Sequence, residues 1–256
     1  MRCIQILFLT CVGPISLAFG QSSYQPPNAS ADVVAGVPFS SGKPVGQKFR
    51  DRFIECDQHD KCDGVPLKFG CSKDRNRNTA LLKLAGGVIF YDAKLGIDAD
   101  GSPLARDNAG STDQVDTSFR YPLAGSPSVN ADRVPYVVIP LGGFGKELGV
   151  VPGDIAAVVY QEHLLYALVA DLGPKCKIGE GSIELHEELG RKVCRNRNSK
   201  GDCTRLRDVG IDRDVLYFIF PGSKATIIEG LAPDNINQRL KTEGEKLMKA
   251  LKTTHN

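Results

Sequence analysis

The clearest pattern along the chain is a set of short apolar runs cut by glycine and proline. Tyr136-Val137-Val138-Ile139-Pro140 has the form of a buried strand. Asp154–Tyr160 follows a Val151-Pro152-Gly153 turn. Leu164–Ala170 comes after a gap of Gln161-Glu162-His163, so these two runs predict a hairpin. Val215–Pro221 is a late strand. Ala80–Ala93, broken at Gly86-Gly87, predicts one or two more. Runs this short and this often interrupted argue for a barrel or a sandwich. Two helices are predicted. Ser182–Leu189 has Ser182 as N-cap and Gly190 as stop. Asp234–Leu251 puts Ile236, Leu240, Leu247 and Leu251 on one face, a stripe that reads as core packing. Earlier in the chain, Asp98–Asn130 reads as a long loop rich in Gly, Ser, Asp and Pro, and loops of that length are often functional. No internal repeat is visible.

Composition narrows the classes. The chain has 256 residues, 41% hydrophobic and 24% charged, which suits a globular protein and excludes a disordered one. Lys+Arg number 32 against 30 Asp+Glu, a net charge of +2, so no strong field for nucleic acid is expected. The only long apolar run opens the chain. Met1-Arg2, Ile4–Val12 and Ala18-Phe19-Gly20 read as a signal peptide over residues 1–20, cut before Gln21. Residues 21–48 then read as a flexible lead-in, and 49–256 as a single β-rich catalytic domain. An exported chain, extracellular or periplasmic, permits disulfides. Cys56, Cys62, Cys71, Cys176, Cys194 and Cys203 remain after cleavage, and six cysteines allow 15 pairings. The rival is a zinc site, but no C-x-x-C occurs.

The chemistry concentrates in Ala167–Gly190. A strand ends on a carboxylate, Asp171. A Gly-Pro turn, two lysines and Gly179-Glu180-Gly181 follow, and Glu184 stands thirteen residues after Asp171. A strand end is a rigid mount, and a glycine-rich loop lets the chain fold back to set two carboxylates across a groove. Such a pair can serve as the acid and base of glycoside hydrolysis. The plainer alternative is an Asp capping a turn and a Glu on a solvated helix face.

These residues sit within a longer likeness. Val88-Ile89-Phe90, Ile97–Gly101, Thr112-Asp113-Gln114 with Thr117-Ser118-Phe119, Val134–Pro140, Leu148–Asp154 and Asp171–Pro174 through Ile178–Ser182 occur in the order found in one family. Over roughly residues 80–225 the chain resembles the fungal-type chitosanases of glycoside hydrolase family 75. The resemblance implies hydrolysis of β-1,4-linked glucosamine polymers with inversion. It implies Asp171 and Glu184 as the essential carboxylates, in the place of an Asp and a Glu thirteen positions apart. Inversion would set them ~6.5–9.5 Å apart. The D-x-G, glycine loop and I-[D/E]-L succession is also similar to the double-psi β-barrel core of lytic transglycosylases. That likeness implies a mainly β, six-stranded barrel core with peripheral helices, including the C-terminal one. It makes Glu184 the proton donor and Asp171 the base.

A cationic substrate calls for an acidic groove, so Asp98, Asp100, Asp113 and Glu180 are expected to bind it, with Lys177 orienting a carboxylate. Lys175 could share that task. With no Trp in the chain, Tyr91, Tyr121, Phe119 or Phe144 would have to stack on sugars, although each also reads as core. Asp98-Ala99-Asp100-Gly101 is a partial calcium loop, with Gly96 where an Asp is needed, so no metal is expected. His163 and His186 read as surface residues. No cofactor, nucleic acid or membrane partner is expected, and the protein is expected to be a monomer. Two rival functions stay open: a peptidoglycan-cleaving transglycosylase, and a non-catalytic wall-binding barrel.

Overall fold

Most of the apolar runs become strands that pair around a closed ring. The computed structural model describes residues 24–67, 71, 80–107, 114–207 and 210–254. The expected signal peptide, residues 1–20, lies outside the described residues. In chain order come β1 (Lys43–Pro44), α1 (Gln47–His59), β2 (Lys61–Cys62), β3 (Val65–Pro66), β4 (Leu81–Lys83), β5 (Ile89–Asp98) and α2 (Pro103–Asp107). Then follow β6 (Tyr136–Pro140), α3 (Phe144–Leu148), β7 (Ile155–Tyr160), β8 (His163–Gly173), β9 (Glu180–Ser182) and α4 (Ile183–Glu188). The chain ends with β10 (Cys194–Arg197), β11 (Cys203–Leu206), β12 (Ile211–Phe220), α5 (Lys224–Ile227) and α6 (Ile236–Thr253).

The barrel runs β5-β12-β7-β8-β6-β9 and closes by the pairing of β9 with β5. The β5–β9 and β6–β8 pairs are parallel and the other four antiparallel. Closure leaves no free edge on these strands. It also explains their near-continuous apolar character, since both faces are covered. One face (Phe90, Tyr136, Leu168, Phe218) packs under α6 through Leu240, Met248 and Leu251. The other (Tyr91, Val137, Val169, Tyr217) packs with Phe49 and Phe53 of α1 and Phe144 of α3. The expected six-stranded, mainly β core with a C-terminal helix is what the chain forms.

The lead-in packs from Tyr24 onward. Its hydroxyl donates to Asp92 at 2.7 Å, and Phe39 stands edge-on to Phe90. Asp92 is thereby a buried core residue. The cysteine-held stretch contains a 13-residue helix, α1. Three disulfides form: Cys56–Cys71, Cys62–Cys176 and Cys194–Cys203. Among the described residues, no helix is long and apolar enough to cross a membrane.

Candidate active site

The site grows from one rung of the barrel. On β6, Val138 is in register with Asp171 of β8 on one side and Glu180 of β9 on the other. Gly96 of β5 follows Glu180 in the same row. The β6–β8 register slips between Val137 and Val138, leaving Ala170 as an extra residue. A bulge of this kind re-aims the side chain beside it.

Four donors converge on the Asp171 carboxylate. Oδ1 accepts from the Ser118 amide (2.8 Å), the Ser118 hydroxyl (2.6 Å) and the Leu172 amide (2.8 Å). Oδ2 accepts from the Gln114 side-chain amide at 2.8 Å. Asp171 is fully buried, so each of these bonds replaces water that the group has lost. The long loop 98–130 therefore does have a task, since its second half grips Asp171.

Asp98 and Asp100 stand beside it. Carboxylate oxygens of Asp98, Asp100 and Asp171 all lie within 4.8 Å of one another. The Asp98 carboxylate accepts from the Asp100 amide at 2.8 Å. The Tyr136 hydroxyl donates to the Asp100 carbonyl at 3.0 Å and adjoins Asp98. Like charges this close oppose ionisation. Burial, then Asp100, Asp171 and Glu180, push Asp98 well above the usual carboxylate range, although part of its surface is open. Burial and then Asp171 push Asp100 up to about 7, and a hydrogen bond joins it to Asp171. Three such oxygens could bracket a cation.

Glu180 faces this cluster in a different setting. Its carboxylate pairs with Lys177 at 2.6 Å. It lies over Gly173, where a Cβ would come within 3.0 Å of Oε2. Gly173 is two positions past Asp171, or about 7 Å along a strand. Gly179, at φ +79°, makes the approach possible, because a side chain there would strike the Lys94 carbonyl. Lys94 is itself buried, in contact with Asp57 of α1, and donates to the Cys71 carbonyl at 2.9 Å. Burial, aided by Lys177 and opposed by Glu180, draws it down to about 7.

Glu184 is placed elsewhere. It opens α4, and its electrostatic neighbours are Glu188, Arg197, Glu187 and Arg133. Burial, then Glu188, raises it to about 6. The carboxylate that the fold brings to the Asp98–Asp100–Asp171 cluster is Glu180. Asp113 lies outside the described residues.

Other expectations are corrected by packing. Lys175 pairs with Asp63 at 2.6 Å, not with a site carboxylate. Tyr91, Tyr121, Phe119 and Phe144 are all buried and offer no platform for sugars. His186 is not a surface residue. It is fully buried, with Nδ1 2.8 Å from the Ser182 carbonyl and Nε2 3.0 Å from that of Leu95, where α4 docks on β5. Gln114, Ser118 and Tyr136 had no assigned role in the sequence, because their function lies in what they touch. Lys94 did leave a signal: a lone cation inside an apolar strand.

A search among curated proteins finds no match. The family described as fungal chitosanase of glycosyl hydrolase group 75 matches residues 95–250, from the end of β5 through most of α6, so the whole carboxylate cluster falls inside the match. By that extent, the chain belongs to the group 75 fungal chitosanases, a family of glycoside hydrolases.

Proposed function

We propose that this protein is an exported endo-chitosanase that cleaves β-1,4-linked glucosamine polymers with inversion. The proposed reaction uses the Asp171 cluster as acid and Glu180 as base. The observation that carries this reading is the split environment of the carboxylates. Asp98 and Asp100 are crowded against Asp171 and both are raised, so this pair retains a proton near neutrality. Glu180 stands apart from that crowding, paired with Lys177. In the reaction, Glu180 takes a proton from water. The water oxygen attacks the anomeric carbon as its bond to the leaving oxygen breaks. The proton held on Asp100 crosses its hydrogen bond to Asp171, which delivers it to that oxygen. The same negative cluster favours a sugar carrying an ammonium group. Asp98, at the edge of the cluster, is the binding group for it. Three disulfides and the apolar start of the chain support export.

A second assignment has its own support. Glu184 is half-buried and raised to about 6, the character of a general acid, which would leave Asp171 as base. Reducing-end release from soluble chitosan separates the two. Asp171→Asn and Glu180→Gln are expected to lose about 10²–10⁴-fold in kcat, the worth of acid–base catalysis, while Glu184→Gln stays within about tenfold of the parent. Loss in Glu184→Gln with Glu180→Gln active would move the acid to Glu184. A parent that releases no ends would remove the substrate assignment. An initial α-anomer product, read by NMR, is the expected sign of inversion.

A further inference from the structure

Of the 17 residues 191–207, seven are Lys or Arg and one is acidic, in a chain whose net charge is only +2. The rest of the molecule is therefore net negative, and the positive charge is gathered on one element. That element is the β10–β11 hairpin, which pairs Cys194 with Leu206 and Asn196 with Arg205 and is closed by the Cys194–Cys203 disulfide. Some of its charge is used internally. Arg197 pairs with Asp132 (3.2 Å) and Glu187 (2.8 Å), and Asp202 pairs with Arg133 (2.8 Å). Arg195, Arg205 and Arg207 are different. All three are exposed, and with Leu206 they line an open cleft of about 420 Å³. Among the described residues none of the three meets a carboxylate.

We propose that this hairpin is a docking surface for an acidic polysaccharide, held through the guanidinium groups of Arg195, Arg205 and Arg207. Gathering three guanidinium groups around one cleft costs free energy through mutual repulsion, and an anion in the cleft removes that cost. Arginine, with a planar fork of donors, suits the two oxygens of a carboxylate. No aromatic residue occurs in 191–207, so the surface lacks the stacking groups of a single-stranded nucleic-acid site. The disulfide holds the two strands together before any ligand arrives, so little ordering is needed on binding. The hairpin would repel a polycation, and it therefore does not serve the proposed substrate directly. A polyanion, however, gathers polycations as counter-ions, so docking on one would raise the local concentration of substrate. That last consequence rests on the proposed function, whereas the docking surface does not.

The test is binding of the folded, oxidised protein to polygalacturonate at 50 and 150 mM NaCl. Duplex DNA and phosphatidylserine vesicles are compared at matched charge. The expected result is tightest binding to polygalacturonate, weakened by salt. R195Q/R205Q/R207Q should weaken it at least tenfold while chitosan cleavage stays at the parent's rate. K43Q/K241Q/K249Q, which removes the same charge elsewhere, should leave it within twofold. If the triple glutamine variant does not fold, R205Q alone is expected to weaken binding about threefold. No binding at 50 mM salt overturns the proposal. So does equal weakening by both triple variants, which would leave only net charge. Tighter binding to DNA or to vesicles would assign the hairpin to that partner instead. A parent inactive on chitosan would count against the proposed function and leave the binding result standing.

Discussion

At the scale of single residues, the site depends on how one carboxylate is held. Ser118 gives Asp171 both its amide and its hydroxyl, and Gln114 holds the second oxygen. The Ser118 hydroxyl can be removed without disturbing the amide. A hydrogen bond to a charged group contributes about 1.5–3 kcal/mol. Ser118→Ala is therefore expected to lower kcat by about tenfold or more with KM little changed, and Ser118→Thr to restore most of it. A rise in KM at constant kcat would show that Ser118 binds substrate and does not position Asp171. The contrast with Glu184 is instructive. In sequence it stands out as much as Glu180 does, and the likeness to the family points to it. Yet α4 turns it toward Arg197 and Glu187, while β9 turns Glu180 toward Gly173.

At the scale of elements, β9 is three residues long and carries Glu180, the proposed base. It is held in place by its neighbours. β5 and β6 bracket it, Gly179 lets it approach Lys94, and Cys176 ties the preceding loop to β2 through Cys62. That bridge spans 114 residues of sequence, whereas Cys194–Cys203 spans 9. A longer loop restrains the unfolded chain more, and losing such a bond costs about 2–5 kcal/mol. Cys62→Ser/Cys176→Ser is expected to lose stability in that range in urea, and kcat with it, because the Glu180 loop loosens. Cys194→Ser/Cys203→Ser is expected to lose less stability and to keep its activity on chitosan. Equal losses of activity in the two would show that the hairpin also supports the site.

At the scale of the molecule, the buried carboxylates link stability to pH. Asp100 rises from 3.8 to about 7 on folding, and Asp98 shifts the same way. The folded state then binds protons more tightly than the unfolded one. The stabilisation from these groups is complete below about pH 4 and is lost as pH rises through 7. The Tm of the parent should fall across that window, and that of Asp100→Asn should fall less, since the amide does not titrate. Parallel curves would mean that Asp100 does not carry the linkage.

Much of this architecture was legible in the chain. The runs at 136–140, 154–160, 164–170 and 215–221 became β6, β7, β8 and β12, because β-branched and apolar residues between turns can bury both faces of a strand. Ser182 capped its helix, accepting from the Leu185 amide. The apolar stripe of α6 sat on the barrel as its spacing required, because a helix must cover such a face. The family likeness was carried by local motifs and was equally readable. What the sequence could not decide was everything set by contact between distant segments. Cys62 pairs with Cys176, 114 residues away, and local pattern is silent at that range. α1 was hidden because its polar positions are spent on Asp57 and the cysteines, and not only on solvent. Above all, the placing of Glu180 near Asp171 was fixed by register. Val138 lies between Asp171 and Glu180 only because the barrel closes, and closure is a property of six strands together.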